Sequence, residues 1–572
     1  MNSMGFKRFI VTMTSAAVLM GSHSLLAENA PSNSTSNIST GKILYLMRSG
    51  NADRSFELYK QHYQESGQHD FELLHQMILL LLDQGYRSPD PEIQLLTLFG
   101  AGISMNDRLL YILEAGLDSH IPQLQLISLS FLARFQNDRA DQAMNRAMSS
   151  NFLPIRLEAT FYLAQKKYPT AVGQTEALMH KIDNKLWFVF PQLFAMIGDP
   201  SSIKILRRLM NDPVDATRIE SILSAAKYER DDLLPQIRNL ATHLNIGQQE
   251  ACATALGIMK DDTSICRLQT LAQSTSSNVQ VAAWSSLYIL GKKEVKEDLM
   301  SLAREGDLFA IVSLGNIEGT EDLLAELTKN KNINIRINAS LALLERQDPR
   351  CLISLCEILI RDGRDLGYVK QQSVGHSLAF WKPTPSAQQN FQENPYLYEL
   401  SVGMREAALN KAVDLPERDF LLLANTLFEV QQNDLIPTLV HLLENMRSPI
   451  AIEMLKRQQQ KIGAPLIRNY CNLALYRLKE EGPYGGNLRQ WIIKQHKTDM
   501  IQFRPLLPWE MRQEETRHEL TAKETSQLLI ESVEALAQAQ DNVSIEALLD
   551  AIHIGNSKNK YALAGLLIRA IQ

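Results

Sequence analysis

The chain is poor in residues that cross-link or punctuate a fold: its 572 residues include 5 cysteines, 21 prolines and 27 glycines. Cys252, Cys266, Cys351, Cys356 and Cys471 are too few, and odd in number, for a disulfide framework. Cys351 and Cys356 stand about 140° apart around a helix, so they do not converge on a metal. Most of the five read as small buried hydrophobes. After the leading segment no run reaches the roughly 18 apolar residues of a membrane helix. Positive charge is not in excess either. The net charge is −6, and −8 once Lys7 and Arg8 are set aside, which argues against nucleic-acid phosphates as the partner.

Catalytic motifs are missing as well. His518-Glu519 lacks the second histidine of HExxH, and His62 and His69 read as a solvated pair. Ser201-Ser202-Ile203-Lys204 matches SxxK alone, without companion motifs. No GxSxG, Walker A or GxGxxG occurs, and carboxylate pairs such as Asp231-Asp232 and Asp261-Asp262 fall at turns, where capping and solvation explain them. The expectation is no catalytic site, no cofactor and no metal.

With 45% apolar and 21% charged residues the chain is ordinary globular material, long enough for one extended array. Residues 1–27 have the pattern of a secretory signal: basic Lys7-Arg8, an apolar stretch from Phe9 to Met20, then Leu25-Leu26-Ala27. This implies export, to a periplasm or cell envelope or into the medium. Residues 28–41, rich in Ser, Asn and Thr around Pro31, read as a flexible leader.

What is present is a repeat. Steps of 31 residues from Thr97 reach Ser128, Ala159, Phe190, Ser221, Cys252 and Ala283, and four residues on they reach Ala101, Leu132, Leu163, Phe194, Ala225, Leu256 and Leu287. A second pair of columns follows: Leu113, Met144, Thr175, Leu206, Ile237, Leu268 and Leu299, then Leu117, Met148, Met179, Met210, Ala241, Ala272 and Ala303. A wholly apolar column of seven would arise by chance in under about 1% of cases at this composition. Positions four apart stack on one helix face, and the two pairs lie one helix and one turn apart. Each unit is therefore a helical hairpin that cannot cover its own apolar face, so its neighbours must stack on it. Gly198-Asp199-Pro200, Gly291 and Asp212-Pro213 supply the breaks.

The run Ile335-Arg336-Ile337-Asn338-Ala339-Ser340-Leu341-Ala342-Leu343-Leu344 resembles the first helix of a bacterial HEAT repeat. Ile155-Arg156-Leu157-Glu158-Ala159 and Val279-Gln280-Val281-Ala282-Ala283 resemble the same element, and Ile197-Gly198-Asp199-Pro200 is similar to that family's inter-helix turn. The resemblance covers about residues 90 to 363 and implies an all-α solenoid and a habit of binding rather than a reaction. Phe190 and Phe194 depart from the pattern, which implies wider packing there.

The expected organisation is a helical cap over 42–89, the solenoid over 90–363, a loop-rich insertion over 364–400 whose prolines forbid helix, and a C-terminal helical region over 401–572. That last region carries insertions at Gly482–Gly486 and Phe503–Trp509. Two surfaces suit recognition. One is a second-helix column, Glu114, Asn145, Glu176, Arg207, Arg238 and Gln269, expected on the concave wall, with Lys204, Arg207 and Arg208 as its basic patch. The other is the aromatic set Trp381, Tyr396, Trp491 and Trp509, which either binds or plugs the array. The resulting reading is an exported, non-enzymatic scaffold for a protein or peptide. The alternatives are a structural envelope component and, behind it, an enzyme akin to HEAT-like lyases.

Overall fold

A computed structural model describes residues 39–168, 170–361, 366–373, 376–382, 395–501 and 520–572. The signal and most of the leader, residues 383–394 of the first insertion, and Phe503 with Trp509 lie outside them. Among the described residues everything regular is helix except one two-stranded hairpin, and no helix is long and apolar enough to cross a membrane. The fold is all-α, an array of stacked helical hairpins. Contacts divide it into two units, residues 144–451 and residues 39–143 with 452–572.

In the first of these, hairpins follow one another with the expected period. The first helices are Leu153–Gln165, Pro191–Ile197, Asp215–Lys227, Ile246–Ile258, Ser277–Ile289, Leu308–Leu314 and Ile333–Glu345. The second helices are Ala171–Met179, Pro200–Leu209, Leu234–Leu240, Ile265–Leu271, Lys296–Arg304, Glu321–Leu327 and Leu352–Ile360. Across both units, every residue of the four sequence columns is buried, none more than 8% exposed. Each leucine or methionine so buried contributes about 1.5–3 kcal/mol. Three of the four hydroxyls in these columns are satisfied locally, Thr97, Thr175 and Ser221 donating to the carbonyls of Ile93, Ala171 and Thr217 four residues back, while the buried Ser128 Oγ has no partner among the described residues.

The backbone repeats as strictly as the core. Lys167, Gly198, Glu229, Lys260 and Gly291 all have φ between 51° and 85°, and they stand 31 residues apart. Each closes a first helix with a left-handed residue, which frees the chain to turn into the second. At Gly198 the next residue, Asp199, caps the second helix by accepting from Ser202 N–H at 2.6 Å, and Pro200 occupies the first helical position. At Phe190 the helix itself departs from the repeat: a 3-10 segment, Asn184–Val189, replaces its first half, and the α-helix opens at Pro191, which has no N–H to give and occupies a first helical position.

The second unit joins the two ends of the sequence. Thr40–Arg48, Ala52–Ser66, Phe71–Tyr86, Pro91–Ser104, Leu110–Leu117 and Pro122–Leu132 pack with Pro465–Arg477, Tyr484–Gln495, Ala522–Ala539, Asn542–Ile554 and Asn559–Ile571. The last helix lies against Pro91–Ser104 so closely that a β-carbon on Gly565 would fall 1.9 Å from the carbonyl oxygen of Gly100. Lys558 pairs with Glu92, and Lys60 with Asp550, across the same seam. The glycine-rich stretch at Gly482–Gly486 reads as an insertion in sequence, yet Tyr484, Gly485 and Gly486 form the first turn of a helix.

Candidate binding surface

In residues 144–451 each first helix packs directly on the next, while the second helices make far fewer contacts with one another. Small residues permit this. Ala253 and Gly257 face a helix carrying Ser286: Ser286 Oγ donates to the Ala253 carbonyl at 2.7 Å, and a β-carbon on Gly257 would lie 2.3 Å from Ser286 Oγ. The first helices thus form one continuous packed wall of this array.

The second-helix column is largely engaged in joining neighbouring repeats. Glu114 accepts from Arg139 at 2.7 Å and Asn145 from Thr170 at 2.9 Å, and Arg207 donates to the carbonyl of Asp232 at 3.4 Å; outside the column, Glu321 accepts from Arg346 at 2.9 Å in the same way. Each partner stands 25 residues on. Arg238 makes a two-pronged bond to Asp261, both contacts 2.7 Å, and Ser264 and Thr263 donate to the same carboxylate. Arg238 above all, opposed by burial and aided by the two hydroxyls, holds the Asp261 carboxyl well below the usual range. Arg208 is paired with Glu176 at 3.0 Å. Of the proposed basic patch, Lys204 alone makes no hydrogen bond or ion pair among the described residues. Lys204 and Arg207 line a shallow pocket of about 500 Å³ with Gly198, Arg230, Asp231 and Asp232.

The wall of first helices carries the other candidate. Residues Tyr368–Ser373 and His376–Trp381, expected to be irregular, form an antiparallel hairpin with Tyr368 opposite Trp381, their rings 5.3 Å apart. The hairpin lies across the first helices Asp215–Lys227, Ile246–Ile258, Leu308–Leu314 and Ile333–Glu345. Leu366, fully buried, pins its start among Ile337, Ile358 and Met404. The array holds its strands by their main chain. Asn338 accepts from Val369 N–H at 2.7 Å and donates to the Gly367 carbonyl at 3.2 Å. Glu250, 3% exposed, accepts from Ser377 Oγ at 2.5 Å, Ser377 N–H at 3.2 Å and Leu378 N–H at 3.4 Å. Asn334 Oδ1 is buried beside Gly367 with no partner.

The aromatic candidates are thus dispersed. Trp381 ends the hairpin, half-buried; Pro395 opens a helix, Pro395–Ala412, that contains Tyr396; Trp491 is half-buried on Tyr484–Gln495. Prolines in this insertion do not bar helix, since Pro395 occupies a first helical position where no N–H is needed. His62 and His69 are not a solvated pair. His69 stacks on Tyr63 at 4.1 Å and bonds to the Tyr59 hydroxyl at 3.2 Å. Among the described residues no cluster of three or more His, Cys, Asp or Glu is arranged to hold a metal.

No family model and no curated protein matches the chain. Three solved structures to which it is similar are the CpcE and CpcF complex of phycocyanin lyase from Nostoc sp. PCC7120 and the karyopherin Kap121p bound to the SUMO protease Ulp1p or to the extreme C-terminus of the phosphatase Cdc14p. The first match is 19% identical, covers 38% of this chain and 92% of the other, with a TM-score of 0.29. The Kap121p matches are 12% identical and cover 92% of this chain and 62% or 68% of theirs, with TM-scores of 0.39 and 0.38. Scores this low carry no argument, and the class of the chain, an all-α protein of stacked helical hairpins, rests on its own columns and helices.

Proposed function

We propose that this chain is an exported, non-enzymatic scaffold, of the HEAT-like kind its first helices resemble, that holds a protein partner on the wall of its first helices, the inner wall of the array in this reading. The observation that carries the reading is the hold of Asn338 and Glu250 on the main chain of an extended segment. Side chains that bond main-chain groups recognise a strand-like peptide whatever its sequence, which is how extended peptides gain affinity. The test is crosslinking in the producing cells followed by purification. One dominant attached protein, with its crosslinks on first helices, is expected; no attached protein above background would reject the scaffold. Export is tested separately by reading the mature N-terminus, expected near Glu28, whereas an intact Met1 would reject cleavage.

A second reading is favoured by the pocket at Lys204 and Arg207, where the unpaired amine of Lys204 suits an acidic side chain of a partner. Charge reversal at Lys204 and Arg207 would then weaken capture.

A further inference from the structure

We infer that the hairpin of residues 366–382 is a stand-in ligand: it occupies in cis the inner-wall site that a partner's extended segment takes, so the partner must displace it. The inference deepens the scaffold reading and rests on it. Three features of the contact support it. The bonds from Asn338 go to Val369 N–H and Gly367 C=O, groups that any extended chain presents. Glu250 receives both the hydroxyl and the N–H of one residue, Ser377, so this end of the site prefers serine or threonine at that position. The fit is also incomplete. Asn334 Oδ1 is buried beside Gly367 without a donor, and an acceptor stranded in this way weakens the hairpin's hold.

A ligand with one more donor at that point would bind better than the hairpin does. A two-stranded hairpin has little stability of its own, so its hold depends on the wall. Its own bulk is only partly committed, with Phe380 41% exposed. The occupant we assign is therefore an extended, strand-like protein segment with a serine or threonine against Glu250 and an N–H directed at Asn334. While the hairpin is seated, the apparent affinity for that segment is lowered by the fraction of molecules in which the wall is covered.

The probe is a fluorescent synthetic peptide copying residues 366–382, added to the full-length protein. Val369→Pro removes the N–H given to Asn338, and Ser377→Ala removes the hydroxyl given to Glu250; neither alters the wall. The double variant is expected to bind the peptide at least about tenfold more tightly than the unaltered chain. Adding Asn338→Ala or Glu250→Ala to the double variant is expected to abolish that gain. Equal binding to the unaltered chain and the double variant, or no binding to a double variant whose circular dichroism and melting remain cooperative, would overturn the inference. If the double variant fails to fold, the same peptide is tested on a chain in which a glycine-serine linker replaces residues 367–382, with the same two outcomes. Failure here alongside successful capture of a partner by the unaltered chain would leave the scaffold reading standing and remove only the cis-occupancy.

Discussion

Arg238 reaches across a repeat boundary and grips the carboxylate of Asp261 with two 2.7 Å bonds, and the Asp261 side chain is only 3% exposed. The pair joins two hairpins. Arg238→Glu would leave the Asp261 carboxylate facing another carboxylate and is expected to lower the urea unfolding midpoint clearly. Lys204→Glu with Arg207→Glu, both exposed, should stay within about 0.5 kcal/mol of the unaltered chain. Equal losses at both sites would show that Arg238 is not structural.

The same pair sets a pH dependence. Because the folded-state pKa of Asp261 lies below its ordinary value of 3.8, its contribution is fully present above that value and is lost as the pH falls below it. Asp261→Asn should therefore narrow the gap in stability between pH 6 and pH 3 relative to the unaltered chain. An unchanged gap would contradict the assignment.

At the seam between the chain ends, Gly565 has no room for a side chain. Gly565→Ala would drive its methyl into the Gly100 carbonyl, and Gly100→Ala into that of Tyr561, 2.1 Å away. Each is expected to cost about 2–3 kcal/mol, with the helix Asn559–Ile571 losing amide protection first. Thermal melts and hydrogen exchange report both quantities.

Lys260 holds a left-handed backbone, φ 51°, at a position where two other repeats have glycine. Lys260→Gly removes a steric cost and should stabilise the chain by about 1 kcal/mol, visible as a higher denaturant midpoint with an unchanged slope. Lower stability would mean that the lysine side chain contributes more than its backbone costs.

Cys266 is exposed, Cys356 is half-buried, and Cys252, Cys351 and Cys471 are buried, with burial pushing the Cys351 thiol up to about 12. A thiol reagent at pH 8 should label Cys266 within minutes and the three buried thiols only on unfolding. Early labelling of Cys252, in the shared core column, would argue against the stacked packing.

Much of the array was legible in sequence because its core is periodic: Thr97, Cys252 and Ala283 share one buried column although their chemistry differs. The period predicts which residues are buried but not that the first helices approach one another more closely than the second helices do. That depends on small residues such as Ala253 and Gly257 drawing first helices together, an effect of the relation between repeats. Asn338 and Glu250 were passed over for a similar reason. Each is a single polar residue beside a small-residue core column, and only the docking of a hairpin some 30 or 127 residues away in sequence gives it a partner. The hairpin itself lay in a stretch whose prolines suggested irregular chain. The Gly100 and Gly565 contact could not be seen at all, since it pairs opposite ends of the chain.

The most direct test of binding on the inner wall is site-specific photo-crosslinking in the producing cells, with the reactive residue placed either at Ser285 or at Lys204. Ser285 is half-buried on a first helix, one turn on from the position equivalent to Glu250. Binding on the inner wall predicts a discrete partner adduct from Ser285 and none, or far less, from Lys204. An adduct from Lys204 alone would contradict it and assign recognition to the outer, second-helix side.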